Sequence, residues 1–438
     1  MIDFGAFMMI IIAGRMSSAM VTYYYNYHNN PKQLKTYLSS TFSLTIYISI
    51  LVAALFIFGG PYIFDLVYKS DKVTFFPFGI LMLAYAALSE IVMIYLIYLK
   101  NKKNISKYIA MVLIQVISNI SFQLIYIIGF GMGVEGALLG MVTGLSCAFV
   151  TILILEKGIL TLSPDWSMIK TSLRFSIALI PYVVIYWCMN QGGRIFLERY
   201  STLEIVGLFG ALIVLSRLII LGIEAVINGI RPFLYEQFAL AENSNKEQVS
   251  LLTKMIINIP LLMVPIVILV GTNFQLISDK LSYSQISHYI CFATLVIFAF
   301  VYVKLFYQQL IFAKRSDLAT GLSFIALIFL VSGFLYWIPK YEIWGVLYAT
   351  LLGNLVLALM FFLAGQKVVQ VSYNFTHIIL IPIFTFAIVF IIEWWMISQG
   401  YSYSMFGIVQ FIIVSLLILL LNRNSIRDYK FLFLNRNK

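Results

Sequence analysis

Thirteen times along the chain, a run of about 20 residues passes with almost no charged side chain, the length an α-helix needs to cross a hydrocarbon core of roughly 30 Å. Backbone groups in lipid have to be satisfied within the spanning element. The runs are too long and too uniformly apolar for the alternating strands of a barrel, so they read as helices. The expected spans are 5–27, 36–60, 73–99, 106–130, 132–155, 170–190, 203–230, 251–270, 287–312, 317–338, 343–365, 375–397 and 401–422. Hydrophobic residues make up 62% of the chain and charged ones 11%, against roughly 45–50% and 25% in soluble domains. A soluble globule is excluded, and the fold class is an all-α integral membrane protein of about 13 transmembrane helices.

The net charge of +11 reads as a topological signal and not as a nucleic-acid footprint, because the basic residues cluster in short loops between the spans. With the loop 100–107, KNKKNISK, in the cytoplasm, every second loop is cytoplasmic too. That face and the basic tail 423–438 then hold 20 of the 29 Lys and Arg residues, the opposite face holds 6, and 3 lie inside spans. This orientation puts Met1 on the outer face, directly before a helix that runs inward. The expectation is therefore one further helix ahead of the first span, fourteen in all. Cys147, Cys188 and Cys291 sit in apolar runs without paired spacing, and His28, His288 and His377 are scattered near helix ends. Neither a disulfide framework nor a metal site is expected, and no cofactor motif is seen.

The spans repeat. FGAFMMIIIAGRMSSAM in the first aligns with VGLFGALIVLSRLIILG in the seventh, so Gly5 to Arg15 has the spacing of Gly207 to Arg217. VEGALLGMVTGL (134–145) aligns with IWGVLYATLLGN (343–354), bringing Gly136 and Gly144 onto Gly345 and Gly353. EIVMIYLIYLK (90–100) and KLFYQQLIFAK (304–314) fall at equivalent places between them. Three matches in order at slowly drifting offsets point to a duplication. It divides the chain into an N-terminal lobe (1–156), a C-terminal lobe (168–366), two further helices (373–422) and the tail. Two similar lobes with a binding region near the midplane are the layout of secondary transporters.

Intramembrane charges are functional candidates, since an Arg at the bilayer centre costs about 2.5–3.5 kcal/mol to insert. Arg15 and Arg217 lie halfway along the first and seventh spans and are symmetry mates in the duplication. Arg217, Leu221, Glu224 and Asn228 share a helix face, as do Arg15, Ser18, Thr22 and Asn26. Either each arginine faces a hydrated cavity, or a carboxylate such as Glu224 locks it into the bundle. The planar guanidinium suits a phosphate or diphosphate, so a cationic cavity favours an anionic substrate.

Glu90 and Lys304 occupy equivalent points with opposite signs. Either they pair across the lobes as a gate, or each is neutralised within its own lobe. Gln115, Asn119, Gln123 and Tyr126 form a stripe suited to interhelical hydrogen bonding. Pro181 interrupts an apolar helix ahead of Arg194, the place for a kink or hinge. Glu393, beside Trp394 and Trp395, reads as interfacial.

The segment PYVVIYWCMNQGGRIFLERYSTLEIVGLFG (181–210) resembles the Wzx-type polysaccharide flippases of the multidrug/oligosaccharidyl-lipid/polysaccharide exporter superfamily, through Pro181, Arg194, Val206, Gly207, Leu208 and Phe209. Gly193 stands where that family has an acidic residue. The opening Asp3-Phe4-Gly5-Ala6-Phe7 is similar to the start of the family's second helix. The resemblance implies export of an undecaprenyl-diphosphate-linked oligosaccharide, an O-antigen, capsule or exopolysaccharide repeat, across a bacterial inner membrane by alternating access. It also implies a coupling ion (H+ or Na+) and, as partners, a polysaccharide polymerase and a chain-length regulator. Arg15, Arg217, Arg194 and Asn228 would then contact substrate, and Glu90, Lys304 and Glu224 would gate or couple. A drug/cation antiporter of the same superfamily is the nearest rival and is expected to prefer carboxylates in its cavity. A membrane-embedded polymerase is expected to carry a long outer loop or an acidic metal motif; no such feature stands out, so the chain reads as a transporter and not an enzyme.

Overall fold

The computed structural model describes residues 16–27, 29–67, 74–102, 104–156, 158–160, 164–239, 246–274, 285–313, 315–371 and 373–423. Thirteen α-helices lie among the described residues: α1 Met16–Tyr27, α2 Pro31–Val67, α3 Ile80–Asn101, α4 Ile105–Leu124, α5 Gly133–Leu155, α6 Trp166–Tyr200, α7 Leu203–Ala239, α8 Lys246–Thr272, α9 Ile286–Phe312, α10 Ser316–Tyr341, α11 Ile343–Val368, α12 Ile381–Ser398 and α13 Tyr403–Leu421. Each coincides with one expected span. Eleven of the helices, counted over the described residues, are long and apolar enough to cross a membrane. The described part of α1 is 12 residues long. The 35-residue α6 carries Asn190, Gln191, Arg194 and Glu198 in its second half, and that polarity marks it as something other than a lipid-facing span. The chain is a multi-pass membrane protein.

The helices fall into two compact units, Met1–Trp187 and Cys188–Lys438. Sequence alone put the division between 156 and 168; the structure puts it inside α6, because the first half of that helix is held by unit 1. Tyr37 of α2 hydrogen-bonds Ser172 at 2.9 Å, Ser40 Oγ accepts the Asp165 backbone N–H at 2.9 Å, and Tyr23 meets Phe175 edge-on. From Cys188 onward α6 belongs to unit 2, where Phe196 packs on Phe334 of α10 at 5.4 Å.

Within unit 1, α4 and α5 form a hairpin that explains the polar stripe of α4. Gly136, Gly140 and Gly144 make a row along α5, and a Cβ added at these positions would run into Tyr126, Gln123 and Asn119 respectively. Without hydrophobic driving force between helices in lipid, such small residues let backbones approach closely. The stripe thus packs against the glycine row; sequence expected interhelical hydrogen bonds from it, whereas the buried Asn119 Oδ1 accepts none. Its counterpart in unit 2 is the α10–α11 hairpin, where a Cβ at Gly345 would meet the backbone of Trp337 and one at Gly353 the side chain of Leu330. The glycines matched by sequence thus do the same job in both units.

Sequence set the last two helices outside the duplication, and in the structure they are integral to unit 2. Asn422 Oδ1 accepts from Asn258 Nδ2 of α8 at 2.6 Å. Gln410 Nε2 donates to the carbonyl of Pro265, also in α8, at 2.9 Å. Gln410 is fully buried, and Gln410→Leu removes the donor that ties α13 to α8. A loss of about 1–3 kcal/mol is expected, read as a lower unfolding temperature of the purified protein.

Candidate functional site

Arg217 falls at the centre of the membrane-crossing stretch Leu203–Arg231 of α7. It is half-buried and lines a cavity of about 40 Å³ inside unit 2, together with Gly193 of α6, Val296 and Phe300 of α9, and Thr350 and Asn354 of α11. At roughly 10–15 Å³ for each water, the cavity has room for a few waters and none for a sugar. It leaves space beside the Arg217 side chain. Asn354 Nδ2 donates to the carbonyl of Val296 at 3.1 Å, which fixes the amide at the cavity edge. Thr350 and Asn354 were missed by sequence reasoning, although an Asn inside the run LLGNLVLAL was a legible signal.

Beyond Arg217 the same face of α7 is open. Leu221 is 63% exposed, and Glu224 and Asn228 are exposed. Lys304 of α9 reaches Glu224 Oε1 at 3.5 Å, with the two side chains 22% and 48% exposed. Further along, Arg231 Nε and the Tyr235 hydroxyl both donate to Gln308 Oε1, at 3.2 and 3.3 Å, and Gln308 Nε2 donates back to the Lys304 carbonyl at 3.0 Å. The result is a polar seam along α7 and α9 in which Arg217, Lys304 and Arg231 outweigh Glu224 in formal charge. Charged groups exposed at bilayer depth are too costly to face lipid. The seam therefore faces water, and its field favours anions.

Lys304 is paired inside its own unit with Glu224, so Glu224 is not simply the lock for Arg217. Glu90, 2% exposed in α3, accepts the Ser17 backbone N–H at 2.8 Å within unit 1. Each of these contacts lies within a single unit. Because the Glu224–Lys304 pair is solvated, a double-mutant cycle with Glu224→Gln and Lys304→Gln is expected to give a coupling of about 0.2–1 kcal/mol. A coupling of several kcal/mol would mean that the seam is dry.

The expected sixth span, 170–190, ends ahead of Arg194. The helix instead continues to Tyr200, leaving Arg194 half-buried with its guanidinium lying over Gly210 of α7, where a Cβ would strike Nη2. Glu198, 7% exposed, follows one turn later on the same face. Gly193 is equally constrained: a Cβ there would come within 2.5 Å of Val346 Cγ1. An acidic side chain has no room at that position, and Gly193→Asp is expected to lower the unfolding temperature of the purified protein instead of adding function. Pro181 lies inside the continuous α6 and is exposed. Arg15 lies outside the described residues, as do the side chains of Ser18 and Thr22; Asn26, on the same face, is exposed. Among the described residues no group of His, Cys, Asp and Glu side chains is arranged to hold a metal ion.

No protein-family model and no curated protein sequence matches the chain. Solved structures do match it. The lipid II flippase MurJ in its inward closed conformation aligns with a TM-score of 0.63 and 14% identity over 97% of this chain and 94% of that one. An inward-facing multidrug resistance MATE family transporter of the MOP superfamily aligns with a TM-score of 0.61 and 15% identity, covering 84% of this chain and 88% of that one. A mutant of the Vibrio cholerae MATE transporter VcmN aligns with a TM-score of 0.58 and 16% identity, over 84% and 86%. At these identities the likeness is one of fold.

Proposed function

We propose that this chain, which has the fold of MOP-superfamily transporters, is a flippase for an undecaprenyl-diphosphate-linked oligosaccharide in a bacterial inner membrane. The carried glycan is a repeat unit of O-antigen, capsule or exopolysaccharide. The observation that supports this most is the water-facing seam around Arg217, cationic in sum at bilayer depth. A diphosphate crossing the membrane needs charge compensation where the dielectric is low, and a guanidinium provides it with two parallel N–H donors. In this reading Arg217, Arg194, Asn228 and Arg15 contact the headgroup, Glu224 and Lys304 open and close the seam, Glu90 serves ion coupling by H+ or Na+, and Pro181 lets α6 bend during alternating access. A polysaccharide polymerase and a chain-length regulator are the partners proposed for the product. No covalent step is assigned, because the diphosphate link only has to change leaflet.

The second reading, a MATE-type cation antiporter, draws on one observation: Glu90 is a buried intramembrane carboxylate. Calorimetric titration of the purified chain separates the two. A short-chain polyprenyl diphosphate bearing a glycan is expected to bind at least about tenfold more tightly than the matching monophosphate, a difference of about 1.4 kcal/mol, and organic cations are expected not to bind. Tight binding of a cation with none of the diphosphate would overturn the flippase reading.

A further inference from the structure

The charge of the seam does not end at mid-bilayer. Arg217 and Arg231 lie 14 residues apart on α7, which is about 21 Å at a rise of about 1.5 Å per residue. Arg217 marks the centre of the membrane-crossing stretch Leu203–Arg231. A bilayer with its headgroups is roughly 40–45 Å thick, so Arg231 falls about half that thickness from the centre, at the level of the lipid phosphates. The basic loops put that level on the cytoplasmic side. Leu221, Glu224 and Asn228 join the two arginines along one face of the helix.

Arg231 is held in place at that depth. Its Nε donates to Gln308 Oε1 at 3.2 Å, and the Tyr235 hydroxyl donates to the same oxygen at 3.3 Å. Gln308 is 2% exposed, and its Nε2 is taken up by the Lys304 carbonyl at 3.0 Å, which leaves the amide oxygen to the two donors. Tyr235 is fixed in turn by Phe312, edge-on at 5.5 Å, and by Phe238, stacked at 6.1 Å. Among the described residues no carboxylate pairs with Arg231, and Glu224 is engaged by Lys304. The tether uses Nε alone. The two Nη groups of the half-buried Arg231 remain, a pair of donors that suits a phosphate.

We propose that Arg231, positioned by Gln308 and Tyr235, is the loading contact of the seam: it takes a lipid phosphate at headgroup depth before Arg217 takes it at mid-bilayer. This rests on the flippase reading and adds an order of events to it. A phosphate that left the headgroup layer for the bilayer centre without such a contact would have no counter-charge until it met Arg217. Two arginines on one water-facing face, with the Glu224–Lys304 pair between them, divide that path. Arg231 touches the phosphate, whereas Gln308 and Tyr235 act through it. The loading contact then sets how much substrate the chain needs, and the mid-bilayer arginine sets how fast the substrate crosses.

Flipping of a fluorescent polyprenyl-diphosphate-linked oligosaccharide by the reconstituted full chain, measured over a range of substrate densities, separates the two arginines. Arg231→Gln is expected to raise the half-saturating density about tenfold with a top rate within about twofold of wild type, whereas Arg217→Ala loses the top rate. Should Arg231→Gln fail to fold, Gln308→Leu serves: it leaves the charge and removes the acceptor, and a rise of about threefold or more is expected. Phosphatidylglycerol mixed into the vesicles identifies the source of the phosphate. If it raises the half-saturating density of wild type but not of Arg231→Gln, the site takes lipid phosphates at large; if it changes neither, the site takes the diphosphate substrate. Calorimetric titration of the purified chain with a short-chain polyprenyl diphosphate keeps the contact distinct from the flippase reading. Wild-type binding that weakens about tenfold in Arg231→Gln, without flipping, leaves the phosphate contact standing while the flippase reading falls. Flipping with an unchanged half-saturating density in Arg231→Gln or Gln308→Leu, or diphosphate binding equal in wild type and Arg231→Gln, would overturn the loading contact.

Discussion

Arg217→Ala is expected to abolish glycan display in a cell that depends on this chain, while the protein remains in the membrane at its normal level. Arg217 sits at mid-span and lines a small cavity, on a face continued by Glu224 and Asn228. Two charge-assisted hydrogen bonds to a diphosphate, at about 1.5–3 kcal/mol each, put the loss at roughly 100-fold or more in transport. Arg217→Lys should be intermediate: the charge stays but the bidentate fork is gone. The duplication extends the same expectation to Arg15→Ala. Surface glycan measured against membrane abundance is the readout, and normal display in both alanine variants would contradict the role given to the arginines.

Gly140→Leu is expected to have the largest structural effect. A Cβ at that position would lie 2.5 Å from the backbone N and 2.6 Å from the Cα of Gln123. Backbone cannot step aside as a flexible side chain can, so α4 and α5 have to separate. Overpacking of this kind costs about 1–3 kcal/mol, and for a unit of this size the unfolding temperature should fall on the order of 5–10 °C. Gly345→Leu, which drives into the Trp337 carbonyl in the α10–α11 hairpin, should behave alike. Gly207→Ala is the control, since nothing lies within 4 Å of a Cβ there, and a change within about 0.5 kcal/mol is expected. Equal destabilisation by all three would mean that the glycine rows do not set the hairpin spacing.

Long uncharged runs left little freedom in the fold, and every helix among the described residues falls on one of them. The end of α6 was not legible, because Asn190, Gln191 and Arg194 read as loop in a hydropathy profile. They belong instead to the continuing helix α6, which Gly193 and Gly210 hold close to its neighbours. The site was legible in its charges. Arg217, Glu224 and Lys304 announced themselves by their cost in lipid, but which pairs with which depends on the α7–α9 packing. Thus Lys304 reaches Glu224, 80 residues away in sequence, and Gln308, one turn after Lys304, joins the same seam.

The central claim is that the cationic seam carries a diphosphate-linked glycan between leaflets, and flipping in vesicles tests it most directly. The purified full chain is reconstituted with a fluorescent polyprenyl-diphosphate-linked oligosaccharide, and a membrane-impermeant quencher reports how much of it has changed leaflet. Wild type is expected to make the inner pool accessible far faster than protein-free vesicles, and Arg217→Ala to fall back to their rate. Equal rates for wild type and protein-free vesicles, or for wild type and Arg217→Ala, would contradict it.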